Sequence, residues 1–259
     1  MFKELKIAAI QTNILWENIL GNLSQYDEML QNISEDVMLI VLPEMFATGF
    51  TMHPENCAET MDGSSVNWMQ DKAKELNKAI MGSLVIQERE NYYNRMVFVY
   101  PNGALRYYDK RHLFTLAGED KKYTPGMERL IFDYKGWKIC PMICYDLRFP
   151  VWSRNTKNYD VLIYMANWPK PRINAWDTLL KARAIENMSY VVGVNRIGFD
   201  ENNYEFNGHS QAIDPLGKSI GNTSENSPEI LEVILDKNKL NTLRNKFQFL
   251  NDRDSFEVY

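Results

Sequence analysis

Apolar residues along this chain come in short unbroken runs separated by longer stretches with mixed spacing. "LKIAAIQTNI" near the start and "VMLIVLP" at 37–43 are apolar over strand length, the pattern of strands covered on both faces. Between them, residues 18–32 carry helical spacing, and a second polar helical segment spans 64–78. "AIMGSLVI", "RMVFVYP" and "ALRYYDK" then follow as β-rich runs, the last two divided by the turn pair Asn102-Gly103. "LIFDYKGWKICPMICYD" reads as a hairpin turning at Lys135-Gly136. Beyond it the pattern predicts a helix over 151–158, a strand "DVLIYMAN", a helix over 175–188 and a strand "YVVGVNRIG". "SQAIDPLGKSI", "EILEVILD" and a short helix at 237–246 complete the series.

Strands that alternate with helices predict an α/β fold with a largely covered sheet. No Pro/Gly/Ser linker or change of composition divides the 259 residues, so residues 1–259 read as one domain. The tail at 247–259 keeps several aromatics and is expected to pack on its own body or on a second subunit.

Composition narrows the function classes. The chain is 45% hydrophobic and 24% charged with a net charge of −5, which speaks against nucleic acid as the main partner. "MFKELKIAAIQTNILW" is neither a secretory signal nor a membrane span, which makes the cytoplasm the default location. Three cysteines and three scattered histidines form neither a disulfide framework nor a zinc pattern, and "WKICPMIC" carries a proline in what reads as a strand. Glycine motifs for dinucleotides or the P-loop are absent.

Ligands of α/β sheets collect beyond the carboxyl ends of strands, so the reactive residues there matter most. Glu44 follows "VMLIVLP", Lys110 follows "ALRYYD", Cys144 follows "WKICPMI", and Asn167 and Trp168 follow "VLIYMA". Taken one at a time, such residues read as a solvated acid, a surface lysine and a small buried hydrophobe. Together they are the parts of acyl transfer through a thiol. Lys110 would favour the thiolate and stabilise an oxyanion, Glu44 would carry the proton, and the Tyr145 N–H would be a second oxyanion donor. This chemistry uses neither a metal nor an organic cofactor. His112 or His209 paired with Cys144 is the competing hydrolase scheme.

"LPEMFATGF", "YDKRHLF" and "CYDLRFP" resemble the Glu, Lys and Cys motifs of the nitrilase superfamily of carbon–nitrogen hydrolases, in the same order and with similar gaps of 66 and 34 residues. The resemblance runs from "IAAIQTN" to "AIDPLG". It implies a four-layer α-β-β-α sandwich, assembly into a homodimer or higher homo-oligomer, and a small amide as substrate. It also implies that Glu119, in "LAGEDKKYTPG", joins the site; by itself "GEDKK" reads as a solvated loop.

True nitrilases tend to show Cys-Trp-Glu, aliphatic amidases Cys-Asp-Asp-Gly, and carbamoylases a second arginine near the nucleophile. "CYDLRFPVWSRN" with "ANWPKPR" instead resembles the omega-amidase branch, which hydrolyses the terminal amide of 2-oxoglutaramate or 2-oxosuccinamate. Val151 stands where many relatives have Glu. A carboxylate-bearing substrate needs a cation, and Arg148, Lys170 and Arg172 are the candidates, with Trp168 as a pocket wall. Against this, Arg148 in "Asp-x-Arg" also reads as an internal ion pair. Two alternatives stand beside the branch assignment: an amidase of the same superfamily acting on a substrate such as deaminated glutathione, and a catalytically silent binding protein on this fold.

Overall fold

Alternation of side chains along the strands sorts the apolar residues into two separate layers. In the first strands, Leu5, Ile7, Ala9, Leu39, Val41, Ala79 and Met81 point one way, into a core shared with the second half of the chain. Their neighbours Ala8, Ile10, Ile40 and Ile80 point the other way, onto helices. Period-two patterning on a buried strand produces this split, because successive side chains leave opposite faces.

The computed structural model describes residues 2–258. Its strands are β1 (Glu4–Gln11), β2 (Leu39–Val41), β3 (Ala79–Glu88), β4 (Asn91–Val99), β5 (Leu105–Asp109), β6 (Phe132–Tyr134) and β7 (Trp137–Ile143). There follow β8 (Val161–Ala166), β9 (Tyr190–Asn195), β10 (Ile197–Phe199), β11 (Glu205–Asn207), β12 (Gln211–Ile213), β13 (Ser219–Asn222) and β14 (Glu229–Asp236). Helices are α1 (Ile19–Leu30), α2 (Pro54–Cys57), α3 (Ser64–Leu76), α4 (Pro150–Ser153), α5 (Ile173–Asn187) and α6 (Lys237–Phe247).

The strands form two six-stranded sheets, in the orders β14-β1-β2-β3-β4-β5 and β13-β12-β9-β8-β7-β6, plus a ribbon of β10 and β11. Each sheet has a parallel centre, β1-β2-β3 in one and β7-β8-β9 in the other, and antiparallel strands outside it. The inner faces pack on one another, with Met96, Phe98 and Tyr108 against Phe132, Ile139 and Met142 in the shared core. Helices α1 and α3 cover the first sheet through Leu23, Tyr26, Val66 and Met69. Helix α5 covers the second, where Trp176 and Leu180 lie within reach of Gly193 on β9. The result is the four-layer α-β-β-α sandwich that the motifs led us to expect.

The helix expected over 151–158 is shorter than its pattern. It ends at Ser153 because Asn155 draws the chain aside: its amide donates to the carbonyls of Tyr159 and Asn187 at 2.9 and 3.0 Å, and its N–H donates to Asn187 Oδ1 at 2.8 Å. In the tail, Phe249 and Phe256 stay 53% and 40% exposed, and Phe247 stacks on Phe249. Arg253 ties the tail to the body through Asn158 at 2.9 Å, while the terminal Tyr259 lies outside the described residues.

Helix α5 approaches β9 closely because position 193 carries no side chain. A Cβ there would fall 2.5 Å from Leu180 and 2.7 Å from Trp176. Gly193→Val is therefore expected to destabilise the fold by about 1–3 kcal/mol through overpacking, read as a lower urea midpoint, with no change if the helix rides freely.

Candidate active site

Parallel strands in the two sheet centres bring several carboxyl ends to one place. Glu44 lies just beyond β2, Lys110 directly after β5, Cys144 directly after β7, and Asn167 directly after β8. Glu119 enters from a short 3-10 turn at Glu119–Lys121. Glu44, Lys110 and Glu119 are all buried, with Lys110 only 1% exposed and both glutamates at 0%.

The ammonium of Lys110 sits between the two carboxylates. Its Nζ donates to Glu44 Oε1 at 2.9 Å and to both Glu119 oxygens at 3.0 and 2.9 Å. Asn94 completes the cluster, donating from Nδ2 to Glu44 Oε1 at 2.8 Å and to Glu119 Oε1 at 3.2 Å. Ser83 orients that amide: its hydroxyl donates to Asn94 Oδ1 at 2.9 Å and accepts the Met45 N–H at 2.9 Å. Backbone N–H groups add to the hold on both carboxylates. Phe114 N–H donates to Glu119 Oε2 at 2.6 Å, and Asn167 N–H donates to Glu44 Oε2 at 2.8 Å. Asn167 also donates its side-chain amide to the Glu44 carbonyl at 2.6 Å, so this residue ties the two sheets together at the site.

Burial opposes charge on all these groups, and their pairing decides the outcome. For Lys110 the burial cost is outweighed by Glu119 and Glu44, which hold the ammonium above the ordinary lysine range. Glu119 is pushed up by burial, with Lys110 pulling the other way. Cys144 is pushed well above the usual thiol range by burial and by the Glu44 charge, against the pull of Lys110, and its Sγ lies 3.9 Å from the Asn167 carbonyl oxygen. The resting nucleophile is therefore a thiol facing a carboxylate, the arrangement in which Glu44 can take its proton.

Cys144 occupies a left-handed backbone conformation, φ 41°, that side-chain-bearing residues rarely adopt. Such strain, of order 1–3 kcal/mol, persists only where surroundings enforce it. Asp146, fully buried, does so: it accepts from Ile143 N–H at 3.0 Å, Tyr108 hydroxyl at 2.8 Å, and His112 N–H and Nδ1 at 3.0 and 2.8 Å. Tyr108 in turn accepts from Trp152 Nε1 at 3.0 Å, and Arg183 donates to the Leu147 carbonyl at 2.6 Å. The sharp turn points Cys144 into the site, and Tyr145 is the second residue of the 3-10 turn Cys144–Arg148, whose leading N–H groups have no acceptor within the turn.

A cavity of about 610 Å³ opens over this cluster, and Lys110, Cys144, Tyr145, Arg148, Trp168 and Arg172 are among its lining residues. Glu44 and Glu119 lie beneath that wall. Lys170 does not line the cavity; it pairs with Glu205 at 2.7 Å. The internal ion pair read into "Asp-x-Arg" is not formed, because Asp146 is saturated by other donors; Arg148 instead lies 5.0 Å over the Trp168 ring. Trp168 lines the cavity, and its ring centre lies 5.6 Å from that of Trp176. The solvated loop read into "GEDKK" is half right: Lys121 and Lys122 are exposed, but Glu119 turns inward. Neither His112, stacked 3.7 Å on Phe149, nor His209, paired with Asp177 and Glu225 at 3.0 Å, lines the cavity with Cys144.

Asn94 and Ser83 escaped the sequence reading, which offers Asp146 only as an ion-pair partner for Arg148. Asn94 and Ser83 sit inside strands, away from the strand ends where ligands of α/β sheets collect. The single available signal was a polar residue in an otherwise apolar run, as in "AIMGSLVI". Among the described residues, no group of three or more His, Cys, Asp or Glu could hold a metal ion.

Comparison with known proteins follows the same lines. The family model for carbon-nitrogen hydrolase matches residues 6–245. The chain is 42% identical over 256 residues to the omega-amidase YafV of Escherichia coli K12, covering 98% of this chain and 99% of that one. It is 35% identical over 219 residues to the 2-oxoglutaramate amidase of Bacillus subtilis, 83% of this chain and 84% of that one. The crystal structure of XC1258 from Xanthomonas campestris, a CN-hydrolase superfamily protein with an arsenic adduct in its active site, superposes with a TM-score of 0.97, 38% identity and full coverage of both chains.

Two outcomes test this electrostatic picture. Glu44→Gln removes the charge that opposes thiolate while Lys110 stays paired with Glu119, so iodoacetamide should label Cys144 several-fold faster at about pH 8, read by mass spectrometry of its peptide; a slower rate would mean that Glu44 does not govern the thiol. Lys110→Met leaves two buried carboxylates facing each other and should cost about 3–5 kcal/mol in urea unfolding at neutral pH. That deficit should shrink towards about pH 5, because Glu119, whose carboxyl pKa burial pushes up, regains stability on protonation.

Proposed function

The chain belongs to the carbon–nitrogen hydrolase family, and on that premise we propose that it is an omega-amidase that works through a thioester on Cys144. It releases ammonia from the terminal amide of 2-oxo dicarboxylic acid monoamides. The observation that carries this reading is the buried Lys110 clasped by Glu44 and Glu119 immediately beneath a cavity lined by Cys144 and two unpaired arginines. Nearly full-length similarity to proteins named omega-amidase supports the substrate class.

Each group then has one task. Glu44 takes the Cys144 proton as Sγ attacks the amide carbon. Lys110 Nζ and the Tyr145 N–H stabilise the oxyanion that forms. Collapse of the tetrahedral intermediate breaks the C–N bond, and Glu44 returns the proton so that ammonia leaves. A water, deprotonated by Glu44, attacks the thioester; the second tetrahedral intermediate expels Cys144, which recovers its proton, and the 2-oxo dicarboxylate departs. Glu119 and Asn94 keep Lys110 charged and aimed, so they position the cation. Arg148, on the cavity wall, meets the carboxylate at the far end of the substrate. We extend the reading to a cytoplasmic homo-oligomer of two or more subunits, for which the half-exposed Phe249 and Phe256 offer apolar surface.

Ammonia release from 2-oxoglutaramate, 2-oxosuccinamate, glutamine and a simple nitrile tests the function. Turnover of the two 2-oxo amides, lost in Cys144→Ala and retained after treatment with a metal chelator, is the expected result. No release from any of them by the unaltered protein would overturn the substrate assignment.

A further inference from the structure

Two guanidinium groups face the cavity without an anionic partner. Arg148 rests on Trp168, its guanidinium carbon 5.0 Å from the ring centre, and Arg172 rests on Phe114 at 5.2 Å. Neither side chain makes a hydrogen bond or ion pair among the described residues. Arg95 and Arg129 show the contrast: Arg95 bonds Asp109 and Glu88, and Arg129 bonds three acceptors. Lys170, two positions from Arg172, is likewise neutralised by Glu205. Stacking on a ring holds a guanidinium in place while leaving its donor edge free for a ligand.

The two arginines share one scaffold. Trp168 seats Arg148 on its face, and its Nε1 donates to the Arg172 carbonyl at 2.8 Å. Asn195 fixes that tryptophan from both sides, accepting its N–H at 2.8 Å and donating to its carbonyl at 2.9 Å. Phe114, the seat of Arg172, sends its own N–H to Glu119 at 2.6 Å, so this cation is anchored to the buried cluster that faces Cys144. Two acids also line the cavity, at the tip of the β10–β11 ribbon. Asp200 is occupied by the N–H groups of Asn202 and Tyr204, both at 2.9 Å, and Glu201 is exposed.

We infer that Arg172 is a specificity-determining residue that joins Arg148 in a two-pronged clamp on the 1-carboxylate and 2-oxo oxygen of the substrate. The inference rests on the omega-amidase reading above. A carboxylate beside a carbonyl presents three oxygens, one more than a single guanidinium fork can take, and a second cation completes the set. An amino acid amide would instead bring an ammonium group against two cations, which disfavours it relative to the 2-oxo acid.

The test compares Arg172→Gln and Arg172→Lys on 2-oxoglutaramate and on propionamide, a neutral amide, and measures how well 2-oxoglutarate protects Cys144 from iodoacetamide. Loss of a charged hydrogen-bonding partner should raise KM for 2-oxoglutaramate roughly 10- to 100-fold with kcat changed less than about threefold, leave propionamide unaffected, and be partly rescued by lysine. Equal losses on both amides, or an unchanged KM, would overturn the clamp while the amidase reading stands. If the unaltered protein cleaves no 2-oxo amide, the protection assay decides: protection lost in Arg172→Gln upholds the clamp, and protection equal in both proteins, or absent from both, removes it.

Discussion

A lysine ammonium with almost no solvent contact is the element on which this structure depends. Unpaired, it would lose its proton or unfold its surroundings. Two carboxylates compensate it and an asparagine holds those carboxylates, so the cluster draws on four stretches of chain: Glu44 after β2, Asn94 on β4, Lys110 after β5, and Glu119 in a turn. The same contacts that neutralise the ion also hold it where negative charge must develop during acyl transfer. Stability and chemistry therefore draw on one set of bonds.

A second constraint acts on Cys144. Its left-handed backbone is unfavourable alone and is enforced by Asp146, which gathers four donors from Tyr108, His112 and Ile143. The aspartate, read from the sequence as an ion-pair partner for Arg148, is consumed by this task. Arg148 is thereby left free on the cavity wall, and the loop geometry and the recognition surface are consequences of one assignment of hydrogen bonds.

Much of the fold was legible in the pattern of apolar runs. β1, β8 and β9 and helices α1, α3 and α6 fall close to where periodicity puts them, because buried strands and amphipathic helices are specified by local alternation. The segment 151–158 was misread because Asn155 and Asn187, distant in sequence, divert the chain after one helical turn. Strand-end position likewise exposed Glu44, Lys110 and Cys144, whereas Asn94 and Ser83 lie inside strands and carry no local mark of their role.

The sequence by itself determined which chemistry is available: a thiol, a carboxylate and an ammonium at the ends of strands, in an order and spacing that a local reading can extract. Tertiary structure alone decided which of the remaining charges take part. Glu119 and Lys121 stand in one short turn, yet one is buried against Lys110 and the other faces water. Lys170 and Arg172 are two residues apart, yet one is neutralised by Glu205 and the other is left open to the cavity. The reason is physical: whether a charge is buried, paired or free depends on neighbours brought close by folding, and residues 9 to 66 positions away supply them here.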